Sequence, residues 1–458
     1  MGSASAFHLR RLLSRATFGA RPGELEKLLA EGLAPSAWLS AQFARAEQPD
    51  PELDRRLRVF PDLAFDPAAR FEESRDMAPD ASLRASESAR KRLRVAAKRI
   101  TRQLAGARIV RAVHGRAALR EVMIDFWSNH FSVFARKGPV GALLPHYQRD
   151  VLEVHALGRF EDLLVDVARS PAMLVYLDNW NSTAPRPPGP SRRRRREPRG
   201  RGGINENYAR ELLELHTLGV NGGYTQNDVR EVARVFTGWS LVGRHDPRFA
   251  FHERHHDTGP KRVLGERVRG RGVEEGRNLL ARLSHQPATA HHIASGLAQR
   301  FVADDPPRAL VERVAKRFLA SGGEIRAVLR ELLLSPEFAD PAHRKLKTPL
   351  RFAVSALRET GGETDGGAPF LMALSRLGEV PFFARTPAGF PEEAGHWIDP
   401  GATLERMKLA FALSRGEIRG TRLGESLPKA AASLSARSLA RDERVAVALA
   451  SPEFQWTT

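Results

Sequence analysis

Apolar residues recur every three to four positions along most of the chain, the spacing that gives a helix one buried face. The pattern predicts two or three short helices over 8–45, broken at "GARPGE" and "EGLAPS", where glycine and proline interrupt it. A looser stretch over 49–83 mixes prolines and acids. From Ala81 the pattern turns helical and basic and runs into "HGRAALREVMIDFWSNHFSV". Further helices are predicted over 141–157, 160–170, 205–218, 225–237, 273–283, 287–302, 307–321, 323–334, 348–360, 368–377, 402–415 and 435–450. Gly219 stops the helix over 205–218, and Thr225 is placed to cap the next one. Strand-like alternation with turn residues occurs over 239–272. The run "DNWNSTAPRPPGPSRRRRREPRGRGG" has nothing to bury and is expected to be disordered. A Ser-Pro step after an apolar helix end recurs in "VDVARSPAML", "LRELLLSPEFAD" and "VAVALASPEFQWTT", at spacings too irregular for a solenoid. The expected fold is mostly α. It is a compact multi-helix body with one small β-hairpin region near 239–272 and a disordered Arg/Pro/Gly loop near 180–203. One domain over 1–458 is expected, with subregions 1–80, 81–240, 241–272 and 273–458.

Composition narrows the picture. Apolar content of 42% and charged content of 28% belong to a soluble globular protein. No run of eighteen apolar residues is present to span a membrane. The opening "MGSASAFHLRRLLSRATFG" lacks the order of a secretory signal, so a cytoplasmic place is expected, with a periplasmic or envelope-associated one as the alternative through a co-exported partner. Cysteine is absent, which removes disulfides, thiolate metal sites and cysteine nucleophiles. The net charge of +18 comes almost wholly from arginine, since only 10 of 72 basic residues are lysine. That balance suits an anionic partner. It equally suits a GC-rich genome that leaves arginine on a solvated surface.

Chemistry is densest in "GINENYARELLELHTLGVNGGYTQNDVREVARVFTGWSL". On a helical wheel Tyr208, Ala209, Leu212, Leu213, Leu215 and His216 share one arc; Glu206, Asn207, Arg210, Glu211 and Glu214 share the other. Glu206, Arg210 and Glu214 are i,i+4 partners, a ladder that by itself only supports a solvated helix, by about 0.2–0.5 kcal/mol per pair. Paired carboxylates beside an arginine are also what acid/base or metal-assisted hydrolysis uses, because neighbouring charges split carboxyl pKa values. Glu211, Glu214, Asn207 and Arg210 are therefore candidate catalytic residues. Asp228 on the following helix and Trp239 are candidates for substrate contact. His216 lies on the apolar arc and is expected to be a buried structural histidine.

Two further stretches carry chemistry. "DFWSNHFSV" sets Asp125 and Asn129 one turn apart, with His130 beside them in an aromatic shell. Asn129 and His130 join the candidate catalytic set, with a satisfied polar pair in a core as the equal alternative. "FHERHHDTGPKRVLG" offers His256 and Asp257 as metal ligands, for a divalent metal, and Lys261 as a substrate contact; a polar loop lining a cleft is the competing reading. No P-loop, dinucleotide fingerprint, nucleophile elbow or HExxH motif occurs.

The ordered series "HLRRLLSRATFGARPGELEKL", "MIDFWSNHFSV", "HALGRFEDLLVDVARSPAMLVYLDN", "NENYARELLELHTLGVNGGYTQNDVREVARVFTGWS", "HDTGPKRVLG", "LRELLLSPEF" and "LGEVPFFARTPAGFP" resembles a bacterial family, the domain-of-unknown-function family 1800, over nearly the whole chain. The resemblance implies histidine where this chain has Ser128. It also implies a neighbouring gene of family 1501, whose members look like sulfatase-fold exported proteins, and so a two-protein system at the envelope.

Three functions are carried forward. The first is an acid/base or metal-assisted hydrolase of an anionic or polymeric substrate, with Glu211, Glu214, Asn207 and Arg210 facing His130, Asn129 and the "HHDTGPK" loop over 255–261. The second is a non-catalytic scaffold or chaperone for the sulfatase-like neighbour. The third is a polyanion binder using Arg192–Arg196.

Overall fold

A computed structural model gives the fold and describes residues 3–63, 83–185, 203–243, 247–433 and 439–457. Helices dominate, as the periodicity predicts. Those that position the sites below are α1 (Ser3–Arg15), α2 (Leu83–His114), α3 (Ala118–His130), α4 (Val140–His146), α5 (Phe160–Arg169), α6 (Pro171–Tyr176), α7 (Glu206–Glu211), α8 (Gln226–Val235), α9 (Val273–Ser284), α10 (Pro287–Phe301) and α11 (Pro349–Thr360). One cluster of buried apolar side chains runs from Leu9 to Phe454 and takes in nearly every helix. Near its middle lies α11, buried at all but one of its twelve positions. Thr348 caps it and Pro349 opens it, a pairing that fits a helix start.

The strand-like region folds into two short antiparallel hairpins. Strand β1 (Trp239–Leu241) pairs with β2 (Phe249–Phe251), Trp239 opposite Phe251. Strand β3 (Arg262–Val263) pairs with β4 (Glu266–Arg267) across Leu264 and Gly265, both at positive φ, as a tight two-residue turn needs. Two more pairs escaped the sequence because their halves lie far apart: Lys345–Leu346 with Trp456–Thr457, and Glu363–Thr364 with Thr421–Arg422. Of the loop expected near 180–203, residues 186–202 lie outside the described residues, Arg192–Arg196 among them. Its base is closed by the Thr183 amide, which donates to Gly203 (3.1 Å). Among the described residues no helix is long and apolar enough to cross a membrane.

Two predicted helices change pitch partway. After α4 the chain widens into a π turn over Tyr147–Leu152, and after α7 into another over Leu212–Thr217. In the second, the Thr217 hydroxyl donates to Leu212 (2.6 Å) and the Leu218 amide to Leu213 (2.8 Å), both five residues back.

Part of the arginine excess lies inside. The last carbonyls of a helix have no partner within it, and here buried guanidiniums take that place. Arg15 donates to Phe301 (3.1 Å) and Val302 (2.7 Å) at the end of α10, and to Thr457 (3.2 Å). Arg358 donates to Ala112 (3.3 Å) and Val113 (3.1 Å) near the end of α2, and to Gly19 (2.8 Å). Arg351 donates to Arg15 and to Thr17 (2.7 Å).

Candidate functional site

Helix α3 carries Glu121, Asp125, Ser128 and Asn129 along one stripe, three to four residues apart, and Ser132 follows just past its end. The aromatic face turns inward: Trp127 is fully buried and its indole N–H donates to Ala156 (3.1 Å). In the polar stripe Glu121 is buried, only 3% exposed, as is Ser132, while Asp125, Ser128 and Asn129 are partly buried. Isolated charges there would be costly, so they are met by arginines from neighbouring helices. A chain of ion pairs results: Glu153 to Arg111 (2.8 Å), Arg111 to Glu121 (3.3 Å), Glu121 to Arg108 (3.8 Å), Arg108 to Asp125 (3.1 Å), Asp125 to Arg300 (2.5 Å), and Arg300 to Glu392 (3.0 Å).

At the Asp125 end of this chain lies a cavity of about 30 Å³, onto which Asp125, Ser128, Ser132, Arg300, Glu379 and Glu392 abut. That is room for a water molecule or two. The segment over 381–391 forms its outer wall, and Asn129 holds that wall in place. Its amide donates to the Phe390 carbonyl (2.8 Å) and its oxygen accepts from the Phe390 amide (2.6 Å). The approach is so close that a Cβ on Gly389 would stand 2.4 Å from the Asn129 oxygen, and Gly389 is at φ 77° besides. Phe382, also in the wall, is a non-glycine residue at φ 69°, a conformation that surrounding contacts must enforce. One such contact is the Ala135 amide, which donates to the Phe382 carbonyl (3.0 Å).

Glu379 is 6% exposed and accepts from the Leu350 amide (2.7 Å) in the first turn of α11. Burial, and after it the negative charge of Asp125, push its carboxyl up to about 7 against the pull of the Leu350 amide, the Thr348 hydroxyl and Arg300. For Asp125 the balance runs the other way. Burial opposes ionisation, but Arg300 and Arg108 outweigh it and hold the carboxyl below its usual range. Of the three carboxyls that face the cavity, Asp125 thus stays ionised and Glu379 exchanges its proton near neutrality, the division of labour that acid/base chemistry needs.

The residues singled out from sequence fall in several places. Asn129 lies in the cavity wall, as does Ser128, where the family resemblance implies histidine. The polar arc of α7 does oppose α8: Glu206 accepts from Gln226 (2.7 Å) and pairs with Arg230 (3.4 Å), while Arg210 donates to Gln226 (2.9 Å). Asn207 is exposed. Glu214 accepts from the Tyr224 hydroxyl (3.1 Å), and burial together with the nearby Glu214 raises the half-buried Glu211. Among the described residues no hydrogen bond or ion pair joins Glu211 or Glu214 to an imidazole.

His130 faces the π turn instead, donating from Nε2 to the His216 carbonyl (3.3 Å), with the His292 ring 5.6 Å away. His292 donates to Leu215 (3.0 Å). His216 is buried, as the apolar arc implies, and its Nε2 has no partner among the described residues. Burial and the positive charge His292 would carry bring it down to about 3.

The second set is drawn into the hairpin region. Trp239 is fully buried against Gly276, where a Cβ would come within 2.4 Å of its ring. Asp228 completes a capping box with Thr225 and accepts from Leu264 (2.6 Å), tying the β3–β4 turn to α8. Lys261, also buried, donates to Glu275 (2.6 Å) and to Gly259 (3.2 Å). His256 donates to Thr237 (2.9 Å), and Asp257 takes Arg234 with both oxygens (2.9 and 3.0 Å). Among the described residues no group of three or more His, Asp or Glu is placed to hold a metal ion.

Sequence reasoning did not reach Arg300, Glu379 or Glu392. Glu379 does stand in "LGEVPFFARTPAGFP", one of the phrases behind the family resemblance, directly after the left-handed Gly378 that ends the preceding helix. No local spacing could join it to Asp125, far back in the chain.

Fold and site together define a mostly helical protein with a buried ionic chain that runs to a small cavity faced by three carboxyls. The chain belongs to the family described as protein of unknown function (DUF1800), whose model matches residues 11–456. No curated protein and no solved structure matches it.

Proposed function

We propose that the Asp125–Glu379 cavity is the acid/base centre of a hydrolase acting on an anionic or polymeric substrate. One observation carries this reading: two carboxyls of split acidity face a space that fits water. A substrate would present its scissile bond at the cavity mouth. The Glu379 carboxylate takes a proton from the cavity water as the water oxygen bonds to the substrate's electrophilic atom. The leaving group then departs with that proton. Asp125, held ionised by Arg108 and Arg300, keeps Glu379 basic enough for the first step, and the Leu350 amide, the Thr348 hydroxyl and Arg300 keep it acidic enough for the last. The net charge of +18 favours an anionic substrate through long-range attraction.

The test needs no substrate at the outset. A titration followed by carboxyl carbon NMR should show one group titrating near 7, absent in Glu379→Gln. A panel of 4-nitrophenyl glycosides, esters and phosphates, assayed from pH 5 to 9, should then show turnover that Glu379→Gln abolishes without lowering the melting temperature. Absence of a carboxyl titrating near neutrality, or full turnover in the variant, would sink the assignment.

A second reading keeps Glu211 and Glu214 as an open acid/base pair, favoured by the raised Glu211 carboxyl and by the π turn that begins one residue later. Under that reading Glu211→Gln, and not Glu379→Gln, removes turnover.

A further inference from the structure

A second cavity, of about 560 Å³, opens between residues 42–54, the end of α2 and the start of α3, and shares no lining residue with the Asp125–Glu379 cavity. Its volume falls in the range of small-molecule sites. Six arginines and five carboxylates line it, and their pairing is uneven. At the floor Arg111 takes Glu121 (3.3 Å) and Glu153 (2.8 Å), and Arg120 donates to the Glu153 carbonyl (2.8 Å). Two of the remaining acids turn to the backbone. Asp50 accepts from the Leu53 (3.2 Å) and Arg116 (2.9 Å) amides, and Glu24 from the Arg21 amide (2.8 Å). Among the described residues no ion pair ties Arg21, Arg116 or Arg358 to a carboxylate.

Arg21 and Arg358 meet at the end of α2. Both donate to the Val113 carbonyl, Arg21 through Nη2 (3.4 Å) and Arg358 through Nη1 (3.1 Å), which sets the two guanidiniums side by side. Nε and Nη1 of Arg21 and Nη2 of Arg358 have no partner among the described residues, and unlike Nε of Arg15 they are not sealed off: each keeps accessible surface. Arg358 itself is only 3% exposed. Burial, then the charge of Arg21, bring it down to about 10 against the pull of Glu24, so it stays protonated at neutral pH. The helix end offers about half an elementary charge against two full ones. Glu24 offsets part of the rest, and an anion in the cavity would offset the remainder. Two forks with free N–H groups also favour a shape. A carboxylate has two oxygens in one plane and fills one fork, whereas a phosphate monoester has three on a tetrahedron and meets both. Arg116, exposed at the rim, adds positive charge.

We infer that this cavity binds a small phosphate monoester, its phosphate held by the free N–H groups of Arg21 and Arg358, with Arg116 at the rim. The inference stands whether or not the Asp125–Glu379 cavity is catalytic.

Calorimetric titration of the full chain with glycerol 3-phosphate, inorganic phosphate and glycerate tests it. Saturable binding of both phosphates at one site per chain is expected, with glycerol 3-phosphate bound at least fivefold tighter than glycerate. Arg21→Gln should weaken phosphate binding by about tenfold or more, the worth of a hydrogen bond to a charged group. Arg116→Glu should weaken it too. The Arg116 side chain bonds nothing among the described residues, so that variant should keep the wild-type melting temperature even if Arg21→Gln folds poorly. Arg317→Glu makes the same charge change on an exposed residue outside the cavity and should leave binding unchanged, which separates a built site from general attraction to a basic protein. Glycerate bound as tightly as glycerol 3-phosphate, or inorganic phosphate bound without the ester, would overturn the proposal. So would an equal loss in Arg317→Glu, or phosphate binding unchanged in both Arg21→Gln and Arg116→Glu.

Discussion

Arg300 is the single side chain on which the candidate site most depends, since it faces Asp125 and Glu392 together from 3% exposure. Replacing it with methionine keeps the volume, takes the guanidinium from Glu392 and leaves Asp125 with Arg108. Urea unfolding of Arg300→Met should show a loss of about 3–5 kcal/mol, the usual cost of removing one partner from a buried pair. Asn129→Ala should cost about 1–3 kcal/mol, because the amide and carbonyl of Phe390 both lose their partner. Glu379→Gln should leave stability unchanged or raise it, because an amide is easier to bury than a titrating acid. Together the three variants separate residues that hold the site from the residue that would act in it. The phrase "DFWSNHFSV" disclosed Asp125, Asn129 and His130 as chemistry-bearing, and two of them line or wall the cavity. It could not disclose their partners. Those come from α2, the π turn after α7, the end of α10 and the segment after Gly378, and only packing brings them there.

At the scale of elements, hydrophobic period and the Gly/Pro breaks located most helices to within a few residues, including α9 and α10. The π turns were not legible, because inserting one residue into a helix leaves the apolar pattern on either side intact. What marks the turn over Leu212–Thr217 is tertiary: His130 and His292 reach in from other helices to its carbonyls. This geometry carries a pH dependence. Burial depresses His130 and His292 and brings His216 to about 3, so the folded state binds fewer protons than the unfolded one. Their stabilising contribution is complete above about 6.5, the ordinary value for histidine, and is lost as pH falls from there through their lowered values, for His216 down to about 3. The limiting slope is about 1.4 kcal/mol per pH unit for each histidine. The melting temperature should therefore drop steadily between pH 6.5 and 4.5, and His216→Leu should flatten the fall. An identical slope in that variant would assign the acid sensitivity elsewhere.

For the whole molecule, the sequence offered two accounts of its arginines, a solvated surface or an anionic partner. The fold adds a third for part of them, as buried donors to carbonyls that chain topology leaves open. A lysine would serve less well there, since its ammonium gathers three donors on one strongly hydrated nitrogen where the guanidinium spreads five over a plane. Arg351→Lys should lower stability by about 1–3 kcal/mol in chemical denaturation, despite conserving charge. The clamp made by Arg15 has a temporal side. Its guanidinium spans 442 residues to reach Thr457. A ribosome extending the chain at about 5–20 residues per second needs roughly 20–90 s to supply that acceptor after Arg15 itself has been added. Throughout that interval the first helix is without its full anchorage, so a nascent chain of this protein should present an early, persistent target to holding chaperones that recognise unburied leucine-rich helices.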